Sequence, residues 1–133
     1  MKTKKELINS WIDKAEKDLR SAKHELSFPD VVTETVCFHC QQAAEKYLKA
    51  YLAFLGLSFT KTHEIGELIT KCENKDREIS VLKEEGDKLT DYAIEIRYPE
   101  EWFEPTLEEA KEAFEIAKKI KEFVLNKIAF TGD

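Results

Sequence analysis

Residues 30–56 read DVVTETVCFHCQQAAEKYLKAYLAFLG. No proline interrupts this stretch, and its only glycine is its last residue. A helix is the economical reading, with Asp30 as its N-cap and Gly56 as the residue that turns the chain left-handed at its end. Val36, Cys40, Ala43, Tyr47, Tyr51 and Phe54 share one face of that helix. Phe38 and Leu52 project roughly 140–180° away from them, at 100° per residue. An amphipathic surface helix has one apolar stripe, whereas this one has two, and both call for partners. Either the helix runs through the middle of the molecule, or it supplies a contact to a second copy.

The flanking sequence reads as more helices. Upstream, Lys4 to Leu26 spaces Leu7, Trp11, Ala15, Leu19, Ala22 and Leu26 by threes and fours, with charged residues between. Downstream, Thr62 is placed as the N-cap of a short helix from His63 to about Asn74, with Ile65, Leu68, Ile69 and Cys72 inward. A fourth helix is expected from about Glu78 to Arg97, stopping just before Tyr98-Pro99 as the pre-proline restriction demands. A fifth starts on the capping box Thr106-Leu107-Glu108-Glu109 and carries Ala110, Ala113, Phe114, Ala117, Ile120, Val124 and Ile128. The three prolines, at 29, 99 and 105, all fall between these segments. No strand pattern competes, so the expectation is an all-α, antiparallel up-and-down bundle of about five helices forming a single domain over residues 1–133.

Composition agrees. The chain has 133 residues, 42% hydrophobic and 36% charged, with only 4 Gly and 3 Pro, which is too apolar for disorder and too poor in turns for a β-sandwich. Its formal net charge of -6 repels polyanions at long range, so contact with nucleic acid would have to be local. An odd count of 3 cysteines makes no disulfide framework, and the N-terminal sequence has no apolar signal core. A cytoplasmic protein that neither spans nor binds a membrane is expected.

Few residues suggest chemistry. Cys37 and Cys40 form a CxxC, but the remaining cysteine, Cys72, lies on another helix, so core packing accounts for all three better than zinc does. The acidic run from Glu100 to Glu112 spans a helix start, where negative charge is favourable in any case. No metal and no cofactor is expected. Arg97 differs, because it sits at a rigid helix end where its planar fork suits phosphate, although it could equally cap helix carbonyls or pair with a nearby glutamate. His63 could hydrogen-bond across the bundle or face a ligand. Tyr98, Gln42 and Lys46 are further candidates whose side chains suit polar ligand contacts.

Three segments resemble one family. Phe38-His39-Cys40-Gln41-Gln42-Ala43-Ala44-Glu45-Lys46-Tyr47-Leu48-Lys49-Ala50-Tyr51-Leu52 is similar to the F-x-x-Q-Q-A-A-E-K-x-L-K-A-x-L segment of the HEPN family. Thr62-His63-Glu64-Ile65 with Leu68 is similar to its T-H-x-L-x-x-L element, and Arg97-Tyr98-Pro99 to its R-Y-P turn. The order and spacing agree from about Leu7 to Ile128.

The resemblance implies a helical bundle that pairs into a homodimer, often beside a minimal nucleotidyltransferase as a toxin–antitoxin pair. Many HEPN proteins are ribonucleases that use an arginine, four to six residues, then a histidine. Counting from Arg97, those positions hold Trp102, Phe103 and Glu104, so the histidine is absent. No residue is therefore assigned a catalytic role. What the sequence leads us to expect is a dimeric module that binds a nucleotide or RNA phosphate, with Arg97, Tyr98, His63, Gln42 and Lys46 as its ligand contacts. The alternatives are a metal-independent endoribonuclease with an altered site and a purely structural partner subunit.

Overall fold

The computed structural model describes residues 2–59, 61–93 and 104–130. Five α-helices follow one another: α1 (Lys4–Leu26), α2 (Thr33–Leu55), α3 (Ile65–Cys72), α4 (Lys83–Tyr92) and α5 (Leu107–Phe130). A 3₁₀ turn at Arg77–Leu82 leads into α4. There is no strand among the described residues.

Direction can be read from side-chain pairs. Trp11 of α1 lies beside Lys49 of α2 while Asp18 meets Lys46, so these two helices are antiparallel. Lys88 of α4 meets Glu112 of α5 and Glu85 meets Lys119, so this pair is antiparallel as well. Between them α2 runs through the centre. Val36, Cys37, Cys40, Ala43, Ala44, Tyr47, Leu48, Ala50 and Leu52 are all fully buried, which places apolar contact around just over half of its circumference. Burying an aliphatic side chain is worth about 1.5–3 kcal/mol, so the helix richest in such residues takes the position with most neighbours.

The central position answers the two-stripe question for Leu52, which packs wholly inside its own chain and needs no second copy. Phe38 stays 43% exposed. On α1 the inward stripe is rotated slightly from the expected one: Ile8 is buried and Leu7 is exposed at the edge.

Helix starts show where tertiary contacts override local signals. α2 begins at Thr33 and not on Asp30, because Glu25 at the end of α1 reaches across the turn and its carboxylate accepts from the Val32 N–H at 3.0 Å. α3 begins at Ile65, two residues after His63. Thr62 Oγ1 accepts from the Glu64 N–H at 3.1 Å, a local turn, while the Ile65 N–H donates to Thr90 Oγ1 of α4 at 3.0 Å. The cap of α3 thus comes from a different helix. The expected fourth helix opens as 3₁₀, with Asp76 accepting from the Glu78 N–H at 3.0 Å, and it ends at Tyr92 with Ala93 as its C-cap, short of the expected end at Arg97, a residue outside those described. α4 approaches α3 closely at Gly86, where a Cβ would stand 2.8 Å from Ile69 Cδ1 and 2.9 Å from Ile65 Cγ2.

Two expectations hold as drawn. Gly56 ends α2 with φ 75°. Thr106 and Glu109 form the capping box of α5, the Thr106 N–H donating to Glu109 Oε1 at 2.9 Å and the Glu109 N–H to Thr106 Oγ1 at 3.1 Å.

Candidate functional site

At the edge of the buried face of α2 lies an arrangement centred on Glu45, whose side chain is only 5% exposed. A carboxylate this deep is stable only if donors saturate it. Lys49, one turn on, donates to Oε2 at 2.7 Å, and Gln41, one turn back, donates from Nε2 to Oε1 at 3.3 Å. The third donor is His63, whose Nδ1 stands 3.1 Å from Oε1 and 3.2 Å from Oε2. A carboxylate only accepts, so this contact puts the proton on Nδ1 and leaves Nε2 as the free nitrogen. The imidazole is held at its root yet 79% exposed. Its backbone is held too, since Gln41 Nε2 also donates to the His63 carbonyl at 2.5 Å. Gln42 extends the chain of contacts, donating from Nε2 to Gln41 Oε1 at 3.0 Å.

An aromatic wall flanks this cluster. The Lys49 ammonium lies 5.2 Å from the Trp11 ring centroid, and Lys14 lies 5.8 Å from it. Phe59 meets Trp11 edge to face at 5.5 Å. The Trp11 Nε1–H is shielded from solvent and has no hydrogen-bond partner. Next to Glu45 in the chain, Lys46 donates to Asp18 Oδ2 at 2.5 Å, and His39 Nδ1 donates to Asp18 Oδ1 at 3.0 Å.

Of the residues expected to contact a ligand, His63 and Gln42 come together through Gln41 and Glu45. Lys46 does not join them, because Asp18 of α1 takes its ammonium. Arg97 and Tyr98 lie outside the described residues. Glu104, which occupies the last position where a histidine would complete the ribonuclease motif, is exposed. Glu45, Gln41, Lys49 and Trp11 were not anticipated. Their signal in the sequence is the Gln41–Glu45–Lys49 series at i, i+4 spacing, whose charged middle member sits about 20° from Leu52 around the helix.

The cysteines are not reactive groups. All three are fully buried, and burial pushes the thiols of Cys37 and Cys72 up to about 12. Cys40 shifts in the same direction for the same reason. Among the described residues no three metal-ligating side chains converge, and no helix is long and apolar enough to cross a membrane.

Comparison with known proteins bears on identity. The HEPN domain family model matches residues 8–128. The crystal structure of an archaeal HEPN homologue superposes with a TM-score of 0.69 at 29% identity, covering 96% of this chain and 99% of that one. No curated protein sequence matches the chain significantly. A matching family model over nearly the whole length, three motifs in the right order and a shared all-α architecture lead to one conclusion: the chain belongs to the HEPN domain family.

Proposed function

We propose that this HEPN protein is a cytoplasmic, dimeric binding module for a nucleotide or RNA phosphate, working with a minimal nucleotidyltransferase in a toxin–antitoxin pair. The observation that carries the reading is the anchored His63. A buried carboxylate fixes the ring's tautomer and orientation while leaving Nε2 in solvent, which suits a ring that contacts a polar ligand better than one that serves packing. Gln42 stands at the other end of the same hydrogen-bonded chain. Arg97, in its R-Y-P context, supplies the fork for the phosphate.

Pairing is supported by exposed apolar side chains. Phe28 and Val32 are 56% and 49% exposed where α1 gives way to α2, and Leu107 is 40% exposed at the start of α5. Phe38 on the outer strip of α2 joins them.

Titration of the purified protein with nucleoside triphosphates and short RNAs tests the binding. Saturable binding that falls at least tenfold in Arg97→Ala and severalfold in His63→Ala is expected, with RNA left intact in the presence of chelator. Equal, undetectable binding by wild type and Arg97→Ala would end the proposal. Sedimentation velocity from 5 to 100 µM, a range chosen on the order of typical dimer affinities, should show a dimer, and a strict monomer would remove pairing. A small nucleotidyltransferase reading frame beside this one is the genomic outcome expected.

A further inference from the structure

A second feature lies on the opposite side of α1 from the Trp11 cluster. A groove of about 340 Å³ opens between α1 and α5. Arg20 and Lys23 line it from α1, and Phe114, Lys118 and Lys121 line it from α5. Two carboxylates, Glu16 and Glu122, also border it.

The charges are unequally committed. Glu16 is already engaged at both oxygens: the Tyr47 hydroxyl donates to Oε2, and Lys121 Nζ donates to Oε1 at 3.1 Å. Lys118 has its nearest acid, Glu115, at 3.9 Å, beyond hydrogen-bond reach, and lies 5.7 Å from the Phe114 ring centroid. Arg20 and Lys23 form no ion pair among the described residues, although the chain as a whole carries -6. With Lys121 and Glu16 set against each other, the groove gathers Arg20, Lys23 and Lys118 around one wall-to-wall space, a local positive field against the overall sign. Apart from Glu16, which is paired with Lys121, Glu122 is the opposing charge among the groove's lining residues.

Spacing sets the ligand. Arg20 and Lys23 are one turn apart on α1, as are Lys118 and Lys121 on α5, each pair about 4.5 Å apart along its axis. α5 runs parallel to α2, since Tyr51 meets Phe123 while Tyr47 and Lys121 meet at Glu16, and it is therefore antiparallel to α1, so the cations form two short facing rows. Along each row a single phosphate meets one cation, whereas linked phosphates extend over the roughly 4.5 Å between neighbouring cations. We propose that the α1–α5 groove is a binding site for a linked polyphosphate, either inorganic or the triphosphate of a nucleotide whose base rests against Phe114. The proposal is independent of the ligand reading for Arg97 and His63, because it uses other residues.

Nuclear magnetic resonance of the ¹⁵N-labelled full chain gives a residue-resolved test. Sodium tripolyphosphate and ATP should shift the amides of Arg20, Lys23, Lys118 and Lys121 saturably, and orthophosphate should bind at least tenfold more weakly. The Arg20→Ala/Lys23→Ala double variant, with well-dispersed spectra to show that it folds, should lose at least tenfold in affinity. Glu122→Gln should gain about twofold. ATP binding severalfold tighter than tripolyphosphate assigns the site to a nucleotide, and equal binding assigns it to the phosphate chain alone. Unshifted amides, or unchanged affinity in the double variant, would overturn the site, as would shifts produced by a single-stranded RNA decamer but not by tripolyphosphate. Arg97→Ala should leave these shifts intact, so failure here and failure of the preceding reading are told apart.

Discussion

The two sides of α1 use the same residue types to opposite ends. On the side facing α2 the acids are shared by donors: Lys46 and His39 meet at Asp18, and Lys49 and His63 meet at Glu45. Toward α5, Arg20 and Lys23 have no ion-pair partner among the described residues, and Glu16 is engaged by Tyr47 and Lys121. The first arrangement spends its charges on holding side chains in place and exposes one anchored imidazole. The second leaves charge available to an outside anion. The difference teaches that composition does not reveal which charges of a protein are free, since the α1 lysines and arginine look alike in the sequence.

Substitutions can break or sharpen that contrast. Glu45→Ala should have the largest effect, a loss of about 2 kcal/mol in denaturant unfolding, because Lys49 and Gln41 lose a buried acceptor. The loss stays below that of a fully buried pair because the His63 ring is mostly in water. Glu45→Gln keeps an acceptor for His63 and Gln41 and should cost about half as much. If Glu45→Ala were neutral, the matched side would not be structural at all.

Tyr47→Phe should cost about 1 kcal/mol at neutral pH by removing the hydroxyl that the Glu16 carboxylate accepts. Its sharper signature is alkaline. Burial, and then the hydrogen bond to Glu16, push the Tyr47 hydroxyl upward from its ordinary value, so the folded protein keeps that proton when the unfolded chain has released it. A raised native value means stability that is present below about pH 10 and declines as pH rises beyond it. Between about pH 9 and 11 the wild type should therefore lose about 1 kcal/mol more than Tyr47→Phe, as measured by urea unfolding at each pH. Equal slopes would show that Tyr47 does not hold its proton.

Asp18→Ala should cost somewhat less than 1 kcal/mol, since its partners Lys46 and His39 are 25% and 29% exposed and can rehydrate. The double change Arg20→Ala/Lys23→Ala should shift stability by less than about 0.5 kcal/mol, as expected for surface charges without partners. A larger loss would mean that these cations are structural, and the contrast between the two sides would vanish.

Much of the fold was legible because its signals are local. The bounds of α1, the left-handed Gly56 and the Thr106–Glu109 capping box follow from residues within four positions of one another. The inward faces of α3 and α5 were legible for the same reason, as periodicity alone selects Ile65, Leu68, Ile120 and Val124. The misplaced starts of α2 and α3 have the opposite cause, because Glu25 and Thr90 reach those backbones from other elements. The candidate site was half legible: His63 and Gln42 stood out by residue type, but Glu45, which joins them, looked like an ordinary helical glutamate.

The sequence by itself determined the helices, the HEPN family and the absence of a histidine in the window after Arg97, since each rests on residue identity and short-range spacing. Only the tertiary structure decided that α2 is central, that Glu45 is buried beneath an exposed His63 and that Arg20 and Lys23 go unmatched. Burial and pairing depend on which elements lie across from a side chain, and no spacing along the chain encodes the distance between two helices.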